Sequence, residues 1–210
     1  MTFAREAWPF VLPFVVLSLV LAGLGQLGWC FGSLLLGLLV LLFFRNPRRS
    51  FSGDDSHVLS AADGKVLRVE TVELPELGPG AYQRVATFLS VFDVHVQKAP
   101  VSGKVLLSKP RPGEKRPAWD PNAGDINEQH LAVFERADGD RVAVLQIVGL
   151  VARRVVCYLR AGDQIDRGQL MGVIKFGSRV DVFVPASYEV LVQAGDRVRT
   201  GATPIARKAR

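Results

Sequence analysis

The segment Lys175-Phe176-Gly177-Ser178-Arg179-Val180-Asp181 holds the pair of residues best placed to alter the chain's own backbone. A serine hydroxyl that follows glycine can attack the preceding carbonyl, because glycine leaves that carbon open and lets the backbone adopt a strained approach. The ester formed between Gly177 and Ser178 can then eliminate to leave a dehydroalanine. Hydrolysis turns this into a pyruvoyl group, a ketone at a new chain terminus and an electrophile that no ordinary side chain supplies. A Gly-Ser pair alone is usually a turn, so its neighbours must carry the weight.

Two further residues have the chemistry to move protons. His95, in Asp93-Val94-His95-Val96, carries an imidazole that titrates near neutral pH, although without context it reads as a satisfied strand histidine. Asp63, in Ala62-Asp63-Gly64-Lys65, could orient or charge-stabilise a proton acceptor for the Ser178 hydroxyl; taken alone it reads as a turn aspartate before glycine. His57, His95 and His130 are far apart in sequence and show no metal-ligand spacing with one another or with cysteines and carboxylates, so no metal site is expected. Cys30 lies in an apolar run and Cys157 in a strand-like stretch, and the two are not expected to pair.

The elements that must position these residues are mostly strands. After residue 50, short runs of Val, Ile and Leu are broken by Gly, Pro and Asp, predicting strands over 65–72, 83–89, 103–108, 130–135, 141–147 and 153–159. Further strands are expected at 171–174 and 182–184, on either side of the Gly-Ser pair. Residues 109–127, rich in proline and carrying Trp119, read as an extended loop, either a lid or membrane-facing flap or a partly disordered surface segment. Ala161-Gly162-Asp163-Gln164-Ile165-Asp166-Arg167-Gly168-Gln169 recurs as Ala194-Gly195-Asp196-Arg197-Val198-Arg199-Thr200-Gly201-Ala202, and Ala61-Ala62-Asp63-Gly64-Lys65-Val66 is echoed by Pro100-Val101-Ser102-Gly103-Lys104-Val105. These turns resemble those of biotinyl and lipoyl carrier barrels, although no carrier lysine stands on a clear hairpin tip. The expected fold is mostly β, with duplicated biotinyl/lipoyl-like barrel-sandwich units and an N-terminal α-helical membrane anchor.

From Ala7 to Phe44 no residue is charged. At about 1.5 Å per residue this run would reach roughly 57 Å as one helix, well beyond the roughly 30 Å hydrocarbon core of a bilayer. The glycine-rich stretch from Ala22 to Gly28 suggests a turn, leaving a tight hairpin, a re-entrant hairpin or one tilted span open. Residues 1–49 are therefore expected to form the anchor and 50–210 the catalytic domain. Arg45, Arg48 and Arg49 follow the apolar run directly, which predicts a cell-membrane protein whose domain faces the cytoplasm. The net charge of +6 suits anionic headgroups, and the scattered basic residues do not suggest nucleic acid.

The ordered motifs Phe43-Phe44-Arg45-Asn46-Pro47, Ala62-Asp63-Gly64-Lys65-Val66, Asp93-Val94-His95-Val96, Ala99-Pro100-Val101-Ser102-Gly103 and Phe176-Gly177-Ser178 converge on one family. Asn127-Glu128 and the segment from Gln146 to Arg154 fit it too. Over nearly its whole length the chain resembles the phosphatidylserine decarboxylase family, in the short form that also includes archaetidylserine decarboxylases. The resemblance implies a proenzyme that cuts itself between Gly177 and Ser178 into chains of residues 1–177 and 178–210, which stay associated. It implies a covalent pyruvoyl cofactor derived from Ser178, with Asp63 and His95 in processing or decarboxylation. The implied substrate is phosphatidylserine in the bilayer, converted to phosphatidylethanolamine; archaetidylserine presents the same headgroup. Longer members of the family carry a second histidine three positions after the first, where this chain has Lys98; either His95 does both jobs of the Asp-His-Ser triad, or cleavage relies mostly on strain and Asp63. Lys175, Arg153, Arg154 and Arg179 are expected either as phosphate or carboxylate contacts or as surface charges. Oligomeric state is left open, and a non-catalytic membrane adaptor built from the same turns is the alternative from another class.

Overall fold

Two apolar helices and a run of short strands divide the chain in the computed structural model, which describes residues 1–150, 154–175 and 178–209. They form two units, Met1–Arg48 and Arg49–Arg210. In the first, strand β1 (Thr2–Phe3) leads to helix α1 (Trp8–Gly23), and helix α2 (Leu27–Phe43) leads to strand β2 (Arg45–Asn46). Gly25 takes a φ of +74° between the helices, a conformation that glycine adopts without steric cost. Antiparallel pairing of β1 with β2 closes the other end, so the apolar run is a helical hairpin. Small residues let the helices meet. The Ser33 hydroxyl donates to the Phe14 carbonyl at 2.8 Å, and a Cβ on Gly37 would lie 3.1 Å from that of Phe14. Residues Arg5–Gly23 form a helical stretch long and apolar enough to cross a membrane, while α2 is shorter.

The second unit contains strands β3 (His57–Leu59), β4 (Gly64–Glu73), β5 (Ala81–Leu89), β6 (Val96–Lys98), β7 (Gly103–Arg111), β8 (Gln129–Glu135) and β9 (Arg141–Val148). A short helix, α3 (Ala123–Ile126), precedes β8. Strands β10 (Val155–Cys157), β11 (Gln164–Ile165), β12 (Leu170–Ile174), β13 (Ser178–Pro185), β14 (Tyr188–Val190), β15 (Arg197–Val198) and β16 (Pro204–Lys208) follow. An antiparallel eight-stranded sheet has the order β11-β7-β8-β9-β13-β5-β4-β15, and two three-stranded sheets have the orders β10-β12-β6 and β14-β16-β3. Bulges at Val66/Arg68 and Val105/Leu107 help the large sheet to curl into a half-barrel.

The repeated motifs occupy matching places. Val66 N–H donates to Asp196 O and Gly195 N–H to Val66 O; Val105 N–H donates to Asp163 O and Gly162 N–H to Val105 O. Gly64 and Gly103 open β4 and β7 where a Cβ would sit 2.0 and 2.2 Å from the carbonyl oxygens of Phe88 and Glu135. Only glycine permits that approach.

Alternation along β13 sends Val180, Val182 and Val184 into one core and Phe183 into another on the opposite face. The first core also holds Met171 and Ile174 of β12, and Val58 and Ile205 of the other small sheet. Most expected strands lie within observed ones. The strand expected at 182–184 instead begins at Ser178, because Arg179 and Asp181 bury their charges against each other and continue the ladder. The expected loop 109–127 contains the last residues of β7 and the turn of α3.

Candidate active site

Ser178 is the first residue of β13 and is fully buried between two neighbours, Leu89 of β5 and Val148 of β9. Strand parity puts its side chain on the face shared with Val180. Its Oγ has no hydrogen-bond partner among the described residues, an unusual condition for a buried hydroxyl. Gly177 and Phe176, the other side of the expected scissile bond, lie outside the described residues, as does Arg153.

His95 is also fully buried and immediately precedes β6. Its Nδ1 lies 2.8 Å from the Asp93 carbonyl oxygen, which only accepts; in the neutral ring Nδ1 therefore carries the proton and Nε2 is the basic nitrogen. The His95 carbonyl accepts from Ile174 N–H at 3.3 Å, so the chain entering the Ser178 segment passes directly beside it. It accepts again from Gln97 Nε2 at 2.8 Å, and Gln146 Nε2 donates to Gln97 Oε1 at 2.9 Å. Gln146 stands opposite Val180, two residues after Ser178. These two buried amides tie the His95 strand to the sheet that carries Ser178.

Asp63 occupies a different setting. Arg49 donates to both of its carboxylate oxygens, the second at 2.9 Å, and Thr200 N–H donates at 2.8 Å. No hydrogen bond joins Asp63 to His95 or Ser178 among the described residues. Lys98, in the place of the family's second histidine, is buried near this pair. Burial, aided by the Arg49 guanidinium and opposed by Asp63, pushes its ammonium below lysine's ordinary range. The structure thus brings His95 to the chain leading into Ser178, and holds Asp63 in a cluster with Arg49, Thr200 and Lys98.

On the other face of the large sheet, Arg179 donates to Asp181 through Nε at 2.7 Å and through a terminal nitrogen at 2.5 Å, with both side chains fully buried. Burial opposes the guanidinium charge, but the hydrogen bonds and charge of Asp181 outweigh it and raise its pKa. Neither expectation for Arg179, surface charge or headgroup contact, fits this burial. Gly124 of α3 covers it, with a hypothetical Cβ 3.3 Å from the guanidinium. Asn127 fastens the 112–127 strap beside the site. Its side-chain amide donates to the carbonyls of Val148 and Arg116, each at 2.8 Å, and its oxygen accepts from Arg116 N–H at 3.0 Å.

Ser178 is thus a buried serine whose hydroxyl has no partner among the described residues, and His95, of fixed tautomer, borders the strand that leads toward it. The sequence profile of the phosphatidylserine decarboxylase family matches residues 36–206. The chain belongs to the phosphatidylserine decarboxylase family. It is 44% identical over 206 residues to a phosphatidylserine decarboxylase proenzyme of Symbiobacterium thermophilum, covering 97% of this chain and 94% of the relative. Proenzymes of the same name from Burkholderia ambifaria and Burkholderia cenocepacia are 39% and 38% identical over 203 residues, with the same coverage. Membership in a decarboxylase family sets aside the adaptor alternative.

From the sequence, Asn127 and Gln146 appear only as family matches, Arg49 only as a flanking charge of the apolar run, and Thr200 and Gln97 carry no site role. For Gln146 a signal existed: it takes the inward parity of Val142, Val144 and Val148 in an apolar run, where a polar side chain must find a buried partner. Arg49 and Thr200 had none, since their meeting at Asp63 depends on tertiary structure.

Proposed function

We propose that this chain is a phosphatidylserine decarboxylase proenzyme that cuts itself between Gly177 and Ser178 and removes CO2 from the serine headgroup to give phosphatidylethanolamine. The observation that carries the reading is the buried Ser178 Oγ, without a hydrogen-bond partner among the described residues, in a chain of this family. In processing, Ser178 Oγ bonds to the Gly177 carbonyl carbon as the Gly177–Ser178 peptide bond breaks. Loss of the Ser178 Cα proton then expels the Gly177 carboxylate, and addition of water to the resulting dehydroalanine releases ammonia. Among the described residues no hydrogen bond competes for the hydroxyl, which supports its availability for this attack.

The pyruvoyl group that follows fits the position, because it needs no side-chain ligand and inherits the place of Ser178 in β13. It supplies a ketone that accepts the electron pair freed as CO2 departs. The protein's part is to exclude water, position the headgroup and handle protons. His95 Nε2 takes the Ser178 proton during processing or returns one after CO2 leaves; Asp63, held by Arg49 and Thr200, fixes the geometry and charge around Lys98. Lys175 and Arg154 are the described cations near this segment suited to the lipid phosphate. Processing yields chains of residues 1–177 and 178–210.

The matching turns at Gly162 and Gly195 support reading the second unit as two carrier-like barrel-sandwich halves. Arg45, Arg48 and Arg49 after the apolar hairpin support placing that unit on the cytoplasmic side of the cell membrane. The test is release of labelled CO2 from carboxyl-labelled phosphatidylserine in vesicles. Wild-type protein is expected to release it and Ser178→Ala is not; equal release by both would overturn the proposal. Archaetidylserine vesicles run beside them establish whether the lipid tails matter.

A further inference from the structure

Five large apolar side chains are exposed among the described residues of the second unit: Val91, Phe92, Trp119, Leu150 and Leu191. Four of them stand at one end of the large sheet. Ser178 pairs with Leu89, the last residue of β5, so Val91 and Phe92 follow in the loop just beyond it. Ser178 also pairs with Val148, the last residue of β9, and Leu150 comes two residues later. Trp119 packs edge-on to Phe88, whose neighbour is Leu89, with ring centroids 5.9 Å apart. Phe92 is 84% exposed, and Trp119 and Leu150 are 61% and 62% exposed.

Hydrogen bonds hold the turn around Val91 and Phe92 and the strap that carries Trp119. Asp93 accepts from Ser90 N–H and Oγ at 2.8 and 2.7 Å, and Asn127 binds the Trp119 strap to Val148. Apolar tips fixed in water are costly unless something covers them. Cationic residues flank them: Lys115 and Arg154 are exposed, and Lys175 lies beside Arg154 through the bond from its N–H to the Arg154 carbonyl. Tryptophan, phenylalanine and leucine at a tip ringed by lysine and arginine match the boundary between acyl chains and anionic headgroups.

We propose that the Ser178 end of this unit docks on the bilayer through Val91, Phe92, Trp119 and Leu150, a contact separate from the helical hairpin. It rests on the decarboxylase reading, in which the substrate's serine must reach Ser178 while its tails stay in the membrane. The hairpin tethers the enzyme, and the tip sets the Ser178 end of the sheet against the headgroups.

Trp8, Trp29 and Trp119 are the tryptophans of the chain, so Trp8→Phe and Trp29→Phe leave Trp119 as the sole reporter. The full-length variant is placed in phosphatidylcholine/phosphatidylserine vesicles whose phosphatidylcholine is brominated near the glycerol end of its acyl chains. Trp119 emission is expected to fall about twofold or more against unbrominated vesicles, with shielding from aqueous acrylamide. Adding Phe92→Ser and Leu150→Ser is expected to abolish the quenching. The same pair in the wild-type background should raise KM for vesicle-borne phosphatidylserine about fivefold or more, with kcat on a soluble short-chain phosphatidylserine unchanged.

Trp119 open to acrylamide and untouched by bromine overturns the proposal. So does a Trp119 shielded from acrylamide but not quenched by bromine, which would mean a second protein copy covers the tip. Chain cutting and CO2 release are followed on the same vesicles. Cut, active protein with unquenched Trp119 removes only the docking surface, whereas quenched Trp119 in uncut, inactive protein removes the decarboxylase reading instead.

Discussion

Thr200 N–H donates to the Asp63 carboxylate at 2.8 Å, joining residues on opposite sides of the proposed cut. The same division runs through the large sheet, where β13 lies between β5 and β9 and belongs to the smaller product. Cutting before Ser178 leaves these ladders intact. The two chains are therefore expected to co-elute in mild detergent and to separate only in denaturant, as read by size-exclusion chromatography and mass spectrometry. A free small chain under native conditions would contradict the topology.

Arg179 and Asp181 form a fully buried pair, so removing one partner strands the other's charge. In a Ser178→Ala background, which keeps the chain uncut, Asp181→Asn is expected to cost about 3–5 kcal/mol in denaturant unfolding. Replacing both, as Arg179→Met with Asp181→Leu, should restore most of that loss. If the double variant is as unstable as the single one, the pair is not an isolated unit.

Much of this architecture is legible in the sequence. Gly64 and Gly103, and the turns at Gly162 and Gly195, announce themselves by repetition, and each stands where a close backbone approach or a positive φ requires glycine. The apolar run and its glycine-rich middle likewise point to two helices. The start of β13 is hidden, because Arg179 and Asp181 look like surface charges until their mutual burial is seen. The contact of Arg49 with Asp63 is equally invisible, since spacing along the chain says nothing about which buried carboxylate an arginine will meet. Ser178 could be found from Gly177 and the family motifs; its orphaned hydroxyl could not.

His95 Nδ1 is committed to the Asp93 carbonyl, leaving Nε2 for proton transfer. His95→Ala is expected to lower CO2 release from cut protein by about 10²- to 10⁴-fold, with partial rescue by added imidazole. Cutting and CO2 release are measured separately on one preparation, by gel and by label. Full turnover in the variant would confine His95 to a packing role.

Lys98 has its ammonium held below the ordinary 10.5, first by burial and then by Arg49, against the opposing pull of Asp63. Between the folded value and 10.5 the unfolded chain binds more protons than the folded one, so stability should increase as pH rises through that interval. In the uncut Ser178→Ala background, Lys98→Met is expected to flatten the increase. Denaturant midpoints from neutral pH to about 10.5 check this, and parallel curves for the two proteins would exclude Lys98 as the source.

Whether Ser178 becomes the cofactor is read from the intact mass of the purified wild-type protein beside Ser178→Ala. Two wild-type masses are expected, fitting residues 1–177 and a pyruvoyl-blocked 178–210, with one full-length mass in the variant. A single uncut mass from folded wild-type protein that still releases CO2 from phosphatidylserine would contradict that conversion.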